Sequence, residues 1–344
     1  ASRLSFFLWS SIPDDELLDR AVRGELGQPG VLDQEVRRML ADPRSETLAT
    51  RFAHQWLRLQ DVGKVWPEAY LYPNFSKQLA EAMVRETELL FQYLVREDRS
   101  LLELFNADYT FLNERLAQHY GIEGLSGQQF HRVKYPNDQR RGVLGHGSML
   151  NLTSMSARTS PVLRGKWVME VLMGTPPPPP PPNVPTLDES PTATAGRLLT
   201  TRERMEQHRS NPICSSCHNF IDPIGLALDN FDVTGAWRIR ENNAPLDTEG
   251  LFYDGTTIGT PSQLVDVLLK RPIPLVRNFT EYLLTYAIGR PTNYLDQPTI
   301  RIITRAAETN DYRMSSLIKG IVMSDPFQMR QTQTSTDNSG RNQP

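Results

Sequence analysis

Seven successive prolines at positions 176–182 constrain this 344-residue chain more than any other feature. Each proline fixes φ and lacks a backbone N–H, so the run cannot form a helix interior or a central strand. It reads as an extended polyproline II rod. The Pro-, Thr- and Ser-rich composition continues to about residue 195 as linker. A boundary is expected there, in a chain long enough for two or three compact units.

The segment before the rod reads as helices. Pro13-Asp14-Asp15-Glu16 is a helix start, with proline and acids at the positive end of the helix dipole. Apolar residues recur at three and four over 31–40 and 45–59, with Phe52, Trp56 and Leu59 on one stripe and His54 off it. The longest helix is expected over 75–96, where Leu79, Met83, Glu86, Leu90 and Leu94 trace a mostly apolar face. A short helix is expected over 112–120 and another over 161–173, the latter after a Gly-rich stretch that begins at 140. Beyond the linker, a charged helix over 197–209 leads to a turn at Asp222-Pro223-Ile224-Gly225 and a short helix over 226–231. Residues 239–260 suggest a small hairpin or irregular excursion. Helices then follow at 261–270, 272–288 and 297–324, the last broken near Asn310-Asp311. The tail from 331 to 344 has no apolar residue and is expected to be disordered.

The only two cysteines lie in Cys214-Ser215-Ser216-Cys217-His218. Two thiols two residues apart, followed at once by an imidazole, are what covalent attachment of haem c requires. The sulfurs add to the vinyl groups along one porphyrin edge, and the histidine binds iron from one face. A structural zinc site needs a fourth ligand; His208, ten residues upstream, is available as one, but no second Cys/His pair stands at finger spacing. A thioredoxin-like dithiol would follow a buried strand, and here a charged helix precedes the motif. A Cys214–Cys217 disulfide leaves His218 unexplained. One covalent haem is therefore the expected cofactor, with Cys214, Cys217 and His218 holding it.

The Asp222-Pro223-Ile224 turn is close enough to offer a backbone acceptor for the second ring nitrogen of His218, which places Pro223 among the cofactor-binding residues. Trp237 and Arg238 follow at a distance suited to holding haem propionates, and Arg158 and Arg164 offer the same from upstream. Met329, in a Pro-Phe-Gln-Met turn after the last helix, is the first choice for the second axial ligand of iron, ahead of Met314, Met323 and Met155. Among the histidines, His146 in Gly-His-Gly-Ser suggests a flexible loop over a haem face. His54 and His208 compete for the same role, while His119 and His131 read as surface residues.

Other chemistries find little support. A net charge of −3 gives no basic footprint for nucleic acid. No apolar run of ~18 residues exists, so no transmembrane helix is expected. There is no Gly-x-Ser-x-Gly, phosphate loop or dinucleotide fingerprint. Leu4-Ser5-Phe6-Phe7-Leu8-Trp9 is too short for a signal-peptide core. Because haem c is attached outside the bacterial cytoplasm, the export signal is expected outside this chain.

Several segments resemble the large exported multidomain c-type cytochromes of planctomycete type. They are Arg158 through Trp167 with its following proline run, Cys214 through Arg238, Leu283 through Arg290, and Ser324 through Arg330. The resemblance covers nearly all of 1–330 and implies three successive modules of unknown function at the C-terminal end of a longer protein. The expected fold is mainly α: an N-terminal helical bundle domain (1–139), a Gly-rich segment, helix and polyproline linker (140–196), and a small helical cytochrome c-like domain (197–330). The expected function is electron transfer by a periplasmic or extracellular monohaem module with an extracytoplasmic redox partner protein. The resemblance also implies polysaccharide contact through upstream modules. The alternatives are a haem enzyme with an open sixth iron site, peroxidase-like or acting oxidatively on polysaccharide, and an interaction scaffold with structural haem.

Overall fold

The structure is a computed structural model that describes residues 1–179, 193–194, 197–209 and 212–329. The greater part of the linker, the last prolines of the run and the tail lie outside the described residues. The described chain is mainly helical, with only short antiparallel strand pairs.

Local signals account for most of the helices. α1 (Ser2–Trp9) is followed by α2 (Asp15–Val22), where the Asp14 side chain accepts from the Leu17 N–H at 3.1 Å and so caps the helix at the expected start. α3 spans Val31–Ala41. The helix expected over 45–59 is instead a succession of short turns: a 3-10 turn at Pro43–Glu46, a π-helical segment at Leu48–Ala53, α4 (His54–Trp56) and a second 3-10 turn at Leu59–Asp61. Phe52 and Trp56 still share a stripe, stacked 5.9 Å apart. α5 (Lys77–Arg96) is capped by Ser76 and buries Leu79, Met83, Glu86, Leu90 and Leu94. α6 (Glu103–Asn106) precedes β1 (Tyr109–Leu112), which pairs antiparallel with β2 (His131–Lys134) around α7 (Glu114–Tyr120). The helical reading of this region lacks that strand pair. Its sequence signal is a four-residue alternation rich in aromatic and β-branched side chains, too short to be decisive alone.

α8 (Gly147–Leu152) and α9 (Pro161–Trp167) come next, the latter running into a π-helical segment at Val168–Leu172. Beyond it, β3 (Ala193–Thr194) pairs with β4 (Arg197–Leu198). α10 (Thr201–Arg209) and α11 (Pro212–Leu226) follow. The 239–260 excursion forms two small hairpins, β5 (Arg240–Glu241) with β6 (Ala244–Pro245) and β7 (Gly250–Leu251) with β8 (Thr257–Ile258). Five helices close the described chain: α12 (Pro261–Leu269), α13 (Ile273–Ile288), α14 (Gln297–Glu308), α15 (Met314–Val322) and α16 (Asp325–Gln328).

The first and last helices share one core. α13 packs against α1, α14, α15, α16 and the 168–172 segment, and α15 packs against α3 and α5. Phe279 of α13 stands 5.7 Å from Phe52 and 5.1 Å from Trp56 by ring centre, and Trp56 Nε1 donates to the Val171 carbonyl at 3.0 Å. The continuous apolar cluster runs from Leu4 to Phe327. The core therefore does not divide at the proline run, because the apolar faces of the early helices are covered by helices from the end of the chain.

A buried polar cluster sits between α5, β1, α7 and α8. Glu86 accepts from Thr110 Oγ1 at 2.6 Å and Tyr120 Oη at 2.7 Å. Thr87 Oγ1 lies 2.8 Å from both His146 Nδ1 and Ser148 Oγ. His146 is thus fully buried rather than part of a mobile loop. His119, expected at the surface, is half-buried with Nε2 2.8 Å from the Thr234 carbonyl oxygen. Burial lowers His146 to about 3 and raises Glu86 to about 7, so both are neutral between those two values. A carboxyl with a raised folded pKa stabilises the fold below its unfolded value and loses that contribution as pH climbs through the folded one. His146 acts in the opposite sense, losing its contribution as pH falls. The stability difference between Glu86→Gln and the parent isolates the carboxyl. It is expected to move in favour of the variant by roughly 3 kcal/mol between about pH 5 and pH 8, measured by urea titration.

Candidate metal centre

The Cys-x-x-Cys-His motif occupies the first turns of α11. Helical spacing puts Cys214 and Cys217 one turn apart, with His218 next to the second. The expected turn at 222–225 is absent: one helix continues through Pro223 to Leu226. A proline inside a helix forfeits one backbone hydrogen bond, and tight packing on α9 holds this helix in place. Pro161 faces Gly225 and Gly165 faces Ile221, so the two helices run antiparallel with their backbones in contact. A methyl group at Gly225 would meet the Pro161 carbonyl, and one at Gly165 would meet that of Ile221.

Continuity of the helix sets the environment of His218. Asp222 lies four residues on, along the same face, and its Oδ1 is 2.9 Å from His218 Nδ1. The partner is thus a carboxylate, in place of the backbone acceptor expected at the Pro223 turn; the Pro223 carbonyl accepts from Ala227 N–H at 3.2 Å. Asp222 is buried, and Arg209 Nε lies 3.4 Å from its Oδ2. With Nδ1 donating to Asp222, Nε2 carries the free lone pair. The i, i+4 spacing of His218 and Asp222 was visible in the sequence, but reading a turn there concealed it. His208, in the last turn of α10, brings its ring centre to 5.6 Å from that of His218.

The other expected site residues are placed as follows. Pro223 lines a cleft of about 590 Å³ beside α11, together with Arg202, Arg209, Phe220 and Tyr253. Trp237 packs edge-on against Phe231 at 5.1 Å. Arg238 Nη2 donates to Thr159 Oγ1 at 2.9 Å and lies 3.2 Å from Asp229 Oδ1, so its guanidinium is engaged within the protein. Arg164 is fully buried. Its Nη1 donates to the Leu228 and Phe231 carbonyls at 2.7 Å each, and its Nη2 to the Asp232 carbonyl at 2.9 Å. It ties down the chain leaving α11. Met329 follows α16, 67% exposed, and its carbonyl accepts from Arg3 Nη1 at 3.2 Å. Because α16 packs on α13 and α15, Met329 sits with the terminal helices. Met314 is buried in α15, and Met323 and Met155 are exposed.

The donor set fits a group that brings most of its own ligands. Among the described residues, no three His, Cys, Asp or Glu side chains converge to hold a bare metal ion. A porphyrin supplies four nitrogens itself and asks the protein only for axial donors and two thiols. One imidazole with its second nitrogen fixed by a carboxylate, on the helix that carries both cysteines, meets that demand.

Comparison with protein-family models finds three successive matches, each described as a protein of unknown function: DUF1592 over 1–122, DUF1588 over 140–241 and DUF1585 over 254–327. No curated protein and no solved structure matches. No helix among the described residues is long and apolar enough to cross a membrane. The Cys-x-x-Cys-His helix falls within the second match, and in order along the chain the three resemble the domain families that accompany planctomycete-type cytochromes c.

Proposed function

We propose that this chain is an exported one-electron carrier that holds a single haem c through Cys214, Cys217 and His218. It would exchange electrons with an extracytoplasmic redox protein in the periplasm or outside the cell. The observation that carries this reading is the 2.9 Å contact from His218 Nδ1 to Asp222 on the helix that bears both cysteines. When bound, haem supplies the one-electron chemistry of its iron. Cys214 and Cys217 would hold it covalently, each thiol adding its sulfur and its hydrogen across one vinyl double bond with no leaving group. Asp222 accepts a hydrogen bond from His218 Nδ1–H and so leaves the Nε2 lone pair free to bind iron. Arg209 offsets the buried charge of Asp222, and the contact of α9 with α11 holds the motif helix still.

The test is redox cycling of the natively exported protein. It is expected to take up and release one electron reversibly with soluble mediators and to leave peroxide unconsumed. Rapid peroxide turnover by high-spin ferric iron would transfer the protein to the enzyme class. Asp222→Asn weakens the carboxylate's hold on His218 and makes the imidazole a poorer donor. The midpoint potential is therefore expected to rise by on the order of 60 mV, the one-electron equivalent of a tenfold change in equilibrium constant. Equilibrium redox titration measures it.

A further inference from the structure

The imidazole that the fold brings to His218 is His208. Their ring centres are 5.6 Å apart, with planes inclined at 68°. α10 is fastened in this position along its length. Thr201 donates through both its N–H and its hydroxyl to the Glu241 carboxylate, each at 2.8 Å. Arg202 Nη1 donates to the Glu249 carbonyl at 2.5 Å. Arg209, next to His208, reaches Asp222, the same carboxylate that orients His218. The meeting of the two imidazoles is thus a property of the α10–α11 pair, held by contacts on both helices.

We infer that His208 is the second protein ligand of the iron, making the centre bis-histidine; this rests on the haem reading above. Two imidazoles bonded to one metal from opposite sides, each by a bond of about 2 Å, hold their ring centres roughly 6 Å apart. The observed 5.6 Å is of that order, and seating a porphyrin between the rings would require them to turn their nitrogens toward it and part. Met329, the thioether first expected in this role, is seated beside Arg3 and the terminal helices. A second imidazole lowers the potential relative to a thioether and closes the iron to peroxide, which agrees with a carrier rather than an enzyme.

The test uses the haem-loaded protein and optical and electron paramagnetic resonance spectra. The ferric parent is expected to be six-coordinate and low-spin, without the thioether-to-iron charge-transfer band at the red end of the visible. His208→Ala is expected to turn the iron high-spin, and added imidazole to restore the low-spin state. His208→Met, which keeps a side chain of similar length, is expected to introduce the thioether band and raise the potential. A thioether band or high-spin iron in the parent would overturn the assignment without any variant. So would an unchanged low-spin spectrum in His208→Ala. Haem on the cysteine-bearing peptide is read separately by mass. Its absence, or zinc in its place, sinks the underlying reading, whereas haem with an unaltered His208→Ala spectrum sinks only the ligand.

Discussion

Replacing Arg164 by methionine is expected to destabilise the protein by about 3–5 kcal/mol, the cost typical of removing one member of a buried charged network. The substitution roughly conserves the aliphatic volume, so packing loss is minor and the effect isolates the guanidinium. Arg164 donates to three backbone carbonyls just after α11 and to Ser154 Oγ at 3.2 Å. Its guanidinium also lies 3.7 Å from Asp229, a carboxyl that burial already pushes upward. Without Arg164 those carbonyls lose donors that water cannot replace, and Asp229 retains Arg238 and the Thr159 hydroxyl. Arg164→Lys keeps the charge but not the fork that reaches several acceptors, and an intermediate loss is expected. Denaturant midpoints at constant slope measure both variants. A methionine variant within about 1 kcal/mol of the parent would show that this network contributes little.

Gly225→Ala carries the second large effect, and here two terms oppose each other. Alanine favours a helix interior over glycine by about 1 kcal/mol. The added methyl at Gly225, however, runs into the Pro161 carbonyl, a backbone atom that moves only if α9 and α11 separate. Overpacking of this kind costs about 1–3 kcal/mol, and more where backbone must shift. The clash is expected to win, with a net loss of about 2 kcal/mol or more and a loosened His218 at the other end of the same helix. Gly27→Ala is the control, because nothing lies within 4 Å of its added methyl. It is expected to stay near the parent or gain a few tenths of a kcal/mol. Equal losses at both positions would refute the close-contact account.

What could be read in the residues was local. The Asp14 cap, the long α5 stripe and the break between α14 and α15 each need only neighbouring side chains. At that break, Asp311 and Tyr312 take up positive φ. The Cys-x-x-Cys-His spacing is local in the same sense. What could not be read depends on partners far along the chain. Leu112 of β1 pairs with His131, and Glu86 finds Thr110 and Tyr120. Pro223 reads as a turn until Gly225 and Gly165 bring two backbones together and hold the helix through it. The closing of the last helices over the first is of this kind too, since periodicity gives each apolar face but not its partner.

A tryptic digest of the protein purified from its native cells tests covalent haem at the two cysteines most directly. Cleavage after Arg209 and Arg238 releases residues 210–238 as one peptide containing both thiols and His218. Its mass is predicted to exceed that of the bare peptide by one haem, and Cys214→Ala/Cys217→Ala is predicted to lose the addition. A peptide of unmodified mass, from cells that attach haem to other proteins in the same compartment, would contradict the account.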